Sequence, residues 1–203
     1  MEKMKYGLVG VACLGLVACG GNQVKTEAVA QQLAPASAPE YNVGDKFVWN
    51  INGEQKTNVV ASVADGNVTW KQGDNEVWTD QGPLVFPTKS WKSEDHGNGS
   101  LTISSVSGDL FPMTIGSKVS ISAKGQGDKY KPWEDERTCT VESEERVTVP
   151  MGSFDTYKVN CKGNYINRTW YYSPELKAPV VYVRYHKRKH QTTLHELVGV
   201  ERS

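Results

Sequence analysis

From residue 41 onward the chain alternates apolar and polar residues in short runs broken by Gly, Asn and Asp, the period-two pattern of half-buried strands. Strands are predicted over residues 46–51, 57–64, 67–71, 76–79, 100–105, 118–124, 137–149, 154–162, 165–172, 180–186 and 192–201. Turns fall at Asn52-Gly53, Asp65-Gly66-Asn67 and Gln72-Gly73-Asp74-Asn75, where glycine and asparagine accept backbone angles that other residues resist. No segment sustains a 3.6-residue period with caps, so helices should be short or absent. So many strands in roughly 160 residues bury their alternating faces only by curling. The fold class expected is all-β: a strongly curved antiparallel sheet, a sandwich or a partly open barrel.

Two details refine that picture. Val43-Gly44-Asp45-Lys46-Phe47 is echoed by Ile115-Gly116-Ser117-Lys118-Val119, which raises the option of two similar halves dividing near residue 110. Pro150-Met151-Gly152-Ser153 separates two long alternating runs. If these pair across that turn, residues whose numbers total about 300 face one another, and Cys139 meets Cys161 as a disulfide.

The first forty residues follow other rules. Lys3 and Lys5 precede an apolar run over residues 7–18, which as a helix reaches only about 18 Å against the roughly 30 Å of a bilayer core. Residues 1–18 therefore read as a secretion signal. Leu16-Val17-Ala18-Cys19 resembles a bacterial lipobox, which implies cleavage before Cys19 and lipid on its sulfur. Gly20 in place of aspartate favours the outer membrane within that class, with the domain facing the periplasm. Residues 19–40 hold no aromatic and end in a Pro-Ala-Ser-Ala-Pro run, so a lipidated cysteine followed by a flexible tether is expected, with a single envelope domain over residues 41–203. Such a tether would give the domain lateral reach toward a nearby partner.

Charge excludes one class of partner. The chain has 23 basic and 23 acidic side chains, and removing the signal takes away two lysines and one glutamate, so no broad footprint for nucleic acid remains.

In the second half, Leu110-Phe111-Pro112-Met113-Thr114-Ile115-Gly116, then Val147-Thr148-Val149-Pro150-Met151-Gly152-Ser153-Phe154, then Trp170-Tyr171-Tyr172-Ser173-Pro174-Glu175 occur in an order that resembles poorly characterised bacterial envelope proteins related to the TapB-like family. The resemblance covers residues 110–185. Met113 stands where leucine is usual, and no aromatic follows Lys118. It implies a β-rich fold and an envelope setting, and supplies no reaction.

Candidate chemistry is sparse. Six tryptophans and nine tyrosines against four phenylalanines suit either curved-sheet cores or a groove for lipid, glycan or peptide. Trp49, Trp70 and Trp170 are read as core. Trp91 and Trp133 sit in polar, loop-like context and are candidate contacts. Arg184, His186, Lys187, Arg188, Lys189 and His190 cluster at a predicted turn and are candidate contacts for an anion or a partner. The four histidines show no metal-ligand spacing, Asp95-His96-Gly97-Asn98-Gly99-Ser100 reads as a loop, and no catalytic residue, metal or cofactor is assigned. The function expected is a non-enzymatic accessory or binding module for an envelope protein, peptide or amphiphile. A lipid carrier and an enzyme on an envelope polymer are the alternatives.

Overall fold

A computed structural model describes residues 24–203. The predicted signal and Cys19 lie outside them. Thirteen strands are present: β1 (Thr26–Ala28), β2 (Lys46–Ile51), β3 (Glu54–Ala64), β4 (Asn67–Gln72), β5 (Glu76–Gln81), β6 (Thr88–Ser93), β7 (Gly97–Asp109), β8 (Lys118–Gly127), β9 (Tyr130–Val149), β10 (Gly152–Gly163), β11 (Ile166–Ser173), β12 (Ala178–His186) and β13 (Gln191–Glu201). The twelve strands β2 to β13 pair antiparallel around a ring that closes where β13 meets β2 and β8 meets β9. The expected curved antiparallel sheet thus closes fully into a barrel rather than a sandwich or a partly open barrel, because its first strand, β2, pairs with its last, β13.

The alternation that predicted the strands also distributes the core. Tyr157, Val159 and Cys161 on β10, with Trp170 and Tyr172 on β11, enter one buried cluster, whereas Phe154 and Tyr171 enter a second. The end of β11 is buried on both faces, so Trp170-Tyr171-Tyr172-Ser173 shows no exposed residue. Cys139 and Cys161 are paired partners on β9 and β10 and form the disulfide. Glu142 is an extra residue in that ladder, a bulge that shifts the register by one before the cysteines meet.

The echo noted in the sequence extends into the hydrogen bonding. Gly44 N–H donates to the Val60 carbonyl and Val60 N–H to that of Asp45, each at 2.9 Å; Gly116 and Ser117 repeat both bonds with Val141 at 2.9 Å. The two turns preceding β2 and β8 close alike, Asp45 onto Asn42 and Ser117 onto Thr114, with Gly44 at φ 96° and Gly116 at φ 89°. Bulges match as well. The register slips after Val60 opposite Trp70 as it does after Val141 opposite Val159. It slips again between the Trp78–Trp91 and Asp80–Thr88 pairs, as between Trp170–Tyr182 and Tyr172–Pro179. The barrel is two six-strand meanders, β2–β7 and β8–β13, of one design. By this register Tyr41 corresponds to Met113, Val68 to Tyr157, Trp78 to Trp170, and Asp80 to Tyr172.

Antiparallel order sorts every turn to one of two rims. The first rim carries the turns at 65–66, 150–151 and 174–177, the loops 82–87 and 110–117, and the segment entering β2. The second carries those at 52–53, 73–75, 94–96, 128–129, 164–165 and 187–190. Residues 24–40, expected within a flexible tether, are docked at the first rim. Thr26–Ala28 pairs with β9, and Ala36 exchanges backbone hydrogen bonds with Met113 at 3.0 and 2.7 Å. Tyr157 donates its hydroxyl to the carbonyls of Leu33 and Ala34, and Tyr172 donates to Ser37 at 2.9 Å. Small residues without aromatic area bury little, yet they offer carbonyls where two core tyrosines need acceptors.

Exposed ion pairs such as Lys124–Glu134 and Lys46–Glu201 decorate the wall. A lipid-facing wall would carry apolar side chains there.

Candidate binding site

Successive strands place Trp170, Tyr182 and His195 in one registered row, and Trp70, Trp78 and Trp91 in another. Between these rows lies a cavity of about 250 Å³, walled by β2–β5 on one side and β11–β13 on the other. Its aromatic walls are Tyr41, Phe47, Trp49, Trp70, Trp78, Trp170 and Tyr182. Trp70 and Trp78 stack at 6.3 Å and Tyr41 sets its edge 4.9 Å from Trp70, while Trp170 and Tyr182 stack at 5.0 Å. The polar members are Asn58, Asp80 and His195.

Both titratable groups are displaced from their ordinary values. Burial pushes the Asp80 carboxyl up to about 6, against hydrogen bonds from Thr88, Trp78 and Trp70 that hold it down; the Thr88 bond is 2.9 Å. Burial, helped by Arg184, pushes His195 down to about 4, so the imidazole is neutral near pH 7. Burial also raises the Tyr41 hydroxyl, with Asp80 adding to the effect. Among the described residues Asp80 is therefore the one formal charge in the cavity wall. A carboxylate kept in such surroundings without a cationic partner is a mark of a site.

The sign of its effect on stability follows. Asp80 titrates near 6 when folded and near 3.8 when not, so the stability it lends is full below pH 4 and is lost as pH rises through 6. A two-unit difference amounts to roughly 3 kcal/mol. Asp80→Asn keeps an acceptor for Thr88 and drops the charge. It is expected to be about 2 kcal/mol more stable than the parent at pH 7.5 and nearly equal at pH 4, by urea unfolding. His195 is present in both chains and cancels from the difference. Equal stability at pH 7.5 would mean that the carboxylate is well solvated.

The residues singled out in the sequence are distributed differently. Trp91 and Trp133 lie in β6 and β9 rather than in loops, with ring centroids 6.0 Å apart and Tyr130 against Trp133 at 6.1 Å, toward the second rim. Both indoles lie flat over glycines, since a Cβ on Gly99 would collide with Trp91 and one on Gly125 with Trp133. Arg184 and His186 end β12, and Lys187, Arg188, Lys189 and His190 form the following turn at that same rim. Lys187 is tied by its Nζ to the Gly163 carbonyl at 2.6 Å, and His190 Nδ1 lies 3.2 Å from the Tyr185 hydroxyl. The turn is thus remote from β1, about 30 Å along β12 at 3.3 Å per residue. Trp49, Trp70 and Trp170, read as core, are 8% exposed and also line the cavity. Asp80 and His195 were missed as a site. The available signal was Trp78-Thr79-Asp80, in which alternation places an acid on an aromatic face. Among the described residues no group of three His, Cys, Asp or Glu converges as metal ligands.

No protein-family model matches the chain, and no curated protein matches it. The similarity to TapB-like proteins therefore rests on the quoted motifs alone. Two solved structures are similar in shape. One is an exported protein with a YmcC-like fold from Bacteroides fragilis, at 13% identity and TM-score 0.41, covering 82% of this chain and 100% of that one. The other is the hypothetical lipoprotein YmcC from Escherichia coli, at 9% identity and TM-score 0.48, covering 76% and 83%.

Proposed function

We propose that the chain is a non-catalytic, small-ligand-binding module of the bacterial envelope. In this reading lipid on Cys19 holds it to the outer membrane, and the barrel faces the periplasm. The observation that carries the reading is the aromatic-walled cavity with its single carboxyl group. At about 250 Å³ it falls below the roughly 300–1,000 Å³ of pockets for drug-sized ligands, so it suits a headgroup-sized molecule and not acyl chains. That weighs against a lipid carrier. Hydrolysis of an envelope glycan would ask for two carboxylates across the bond, and the wall offers one.

A second reading, contact with an envelope protein, is favoured by Trp91, Trp133 and Tyr130 clustering toward the rim that also bears the turn at 187–190. Native mass spectrometry of the protein extracted from membranes separates the two. A one-to-one small-molecule adduct is expected. A stoichiometric crosslinked protein, with no adduct, would move the function to the rim.

A further inference from the structure

The repeat in the barrel supplies an internal comparison for the cavity. Its first-half wall includes Tyr41, Val68, Trp78 and Asp80, whose counterparts by register are Met113, Tyr157, Trp170 and Tyr172. Those counterparts all belong to the first core cluster; Trp170 also lines the cavity itself, but around Met113, Tyr157 and Tyr172 the space is taken. Residues 33–37 lie in it: Ala36 is 4% exposed, bridged to Met113, while the hydroxyls of Tyr157 and Tyr172 donate to the carbonyls of Leu33, Ala34 and Ser37. The same wall design therefore holds a segment of the chain in one half and encloses open volume in the other.

The two seats differ in polarity at the decisive position. Tyr172 is a donor and holds a carbonyl; Asp80 is an acceptor whose donors Thr88, Trp78 and Trp70 are all neutral, so its charge calls for a positive one. Tyr157 is replaced by Val68, which offers no polar atom at all. Seven of the other lining residues are aromatic rings, whose quadrupoles attract cations, most strongly at tryptophan. The nearby arginine of the first rim is already engaged, since Arg202 pairs with Asp45 at 2.8 Å and packs over the Phe47 ring at 5.0 Å. A neutral sugar or an apolar molecule would leave the Asp80 charge, which Thr88, Trp78 and Trp70 hydrogen-bond but do not neutralise, without a counter-ion.

We propose that the cavity is the site for a small alkylammonium cation, its charge set between the Asp80 carboxylate and the rings of Tyr41, Trp70 and Trp78. This rests on the small-ligand reading above and adds the class of ligand. The neutral His195 in the facing wall adds no repulsion to a bound cation.

Choline and its uncharged isostere 3,3-dimethylbutan-1-ol, titrated into the full chain at pH 7.5 by calorimetry and tryptophan emission, test it. Choline is expected to bind one-to-one and quench emission, with the isostere at least about tenfold weaker. Asp80→Asn should weaken choline by about tenfold and leave the isostere unchanged. Trp78→Leu, which keeps apolar bulk and removes a ring, should weaken choline by about fivefold. Equal binding of the two probes, or an Asp80→Asn chain that binds choline as the parent does, overturns the cation and leaves the cavity reading intact. If neither probe binds, a different adduct in native mass spectrometry overturns the cation alone, and no adduct of any kind overturns both.

Discussion

Replacing Cys139 and Cys161 together by alanine is expected to cost the fold about 3 kcal/mol, read as a lower urea midpoint at pH 7.5. The two cysteines are separated by 22 positions and join β9 to β10 across the hairpin at Pro150. In the entropy account the loss comes from the unfolded chain, which regains the freedom of that loop. Both sulfurs are fully buried in the first core cluster, so truncation also removes packing. The same burial means that a mild reductant should leave the bridge intact until denaturant opens the barrel. A midpoint unchanged in the double variant would show that the adjacent ladder already holds those strands in register without help.

Truncation to a chain starting at Tyr41 should have an effect at least as large, compared with a chain starting at Val24. It strips the acceptors from Tyr157 and Tyr172 and removes two backbone hydrogen bonds at Met113. A buried donor left without a partner costs roughly 1–3 kcal/mol, so a loss of about 3 kcal/mol or more is expected. For a domain of this size that is roughly a 10 °C fall in Tm. Tyr157→Phe with Tyr172→Phe separates the causes, because these hydroxyls matter only while something must satisfy them. In the shortened chain the double change should recover part of the lost stability, whereas in the longer chain it should cost about 1–2 kcal/mol. Equal effects in both chains would show that residues 33–37 do not serve those tyrosines.

Much of the barrel was legible in the sequence because alternation survives wherever one face meets water. Residues 46–51 were bounded as found, and the hairpin at Pro150 led directly to the disulfide. Two strands were missed for physical reasons. In Thr88–Ser93 the inward bulk is Trp91 alone, and its partner across the ladder is Gly99, so the pattern shows no apolar run. Thr26–Ala28 is exposed throughout and pairs only along the end of β9. Trp133 read as loop because Lys131, Pro132 and Glu134 around it face outward. The closure of the ring was not legible, since it depends on the first barrel strand, β2, meeting the last, β13, far along the chain. The cavity was half legible: its tryptophans stood out, but an unfilled space is a property of which residues fail to meet. Five echoed residues gave only a hint of the repeat, whereas matching bulges and turn hydrogen bonds carry it across four strand pairings.

The docking of Thr26–Ala28 changes what the proposed lipid at Cys19 would do. Residues 20–25, even pulled straight, span about 20 Å, little more than the depth of a headgroup layer and its bound water. Such a receptor is mounted rather than leashed: it can drift with its lipid but cannot swing out in search of anything. Its first rim would stand toward the bilayer and its lysine-bearing turn at 187–189 away from it, so whatever meets that turn must arrive from the aqueous side.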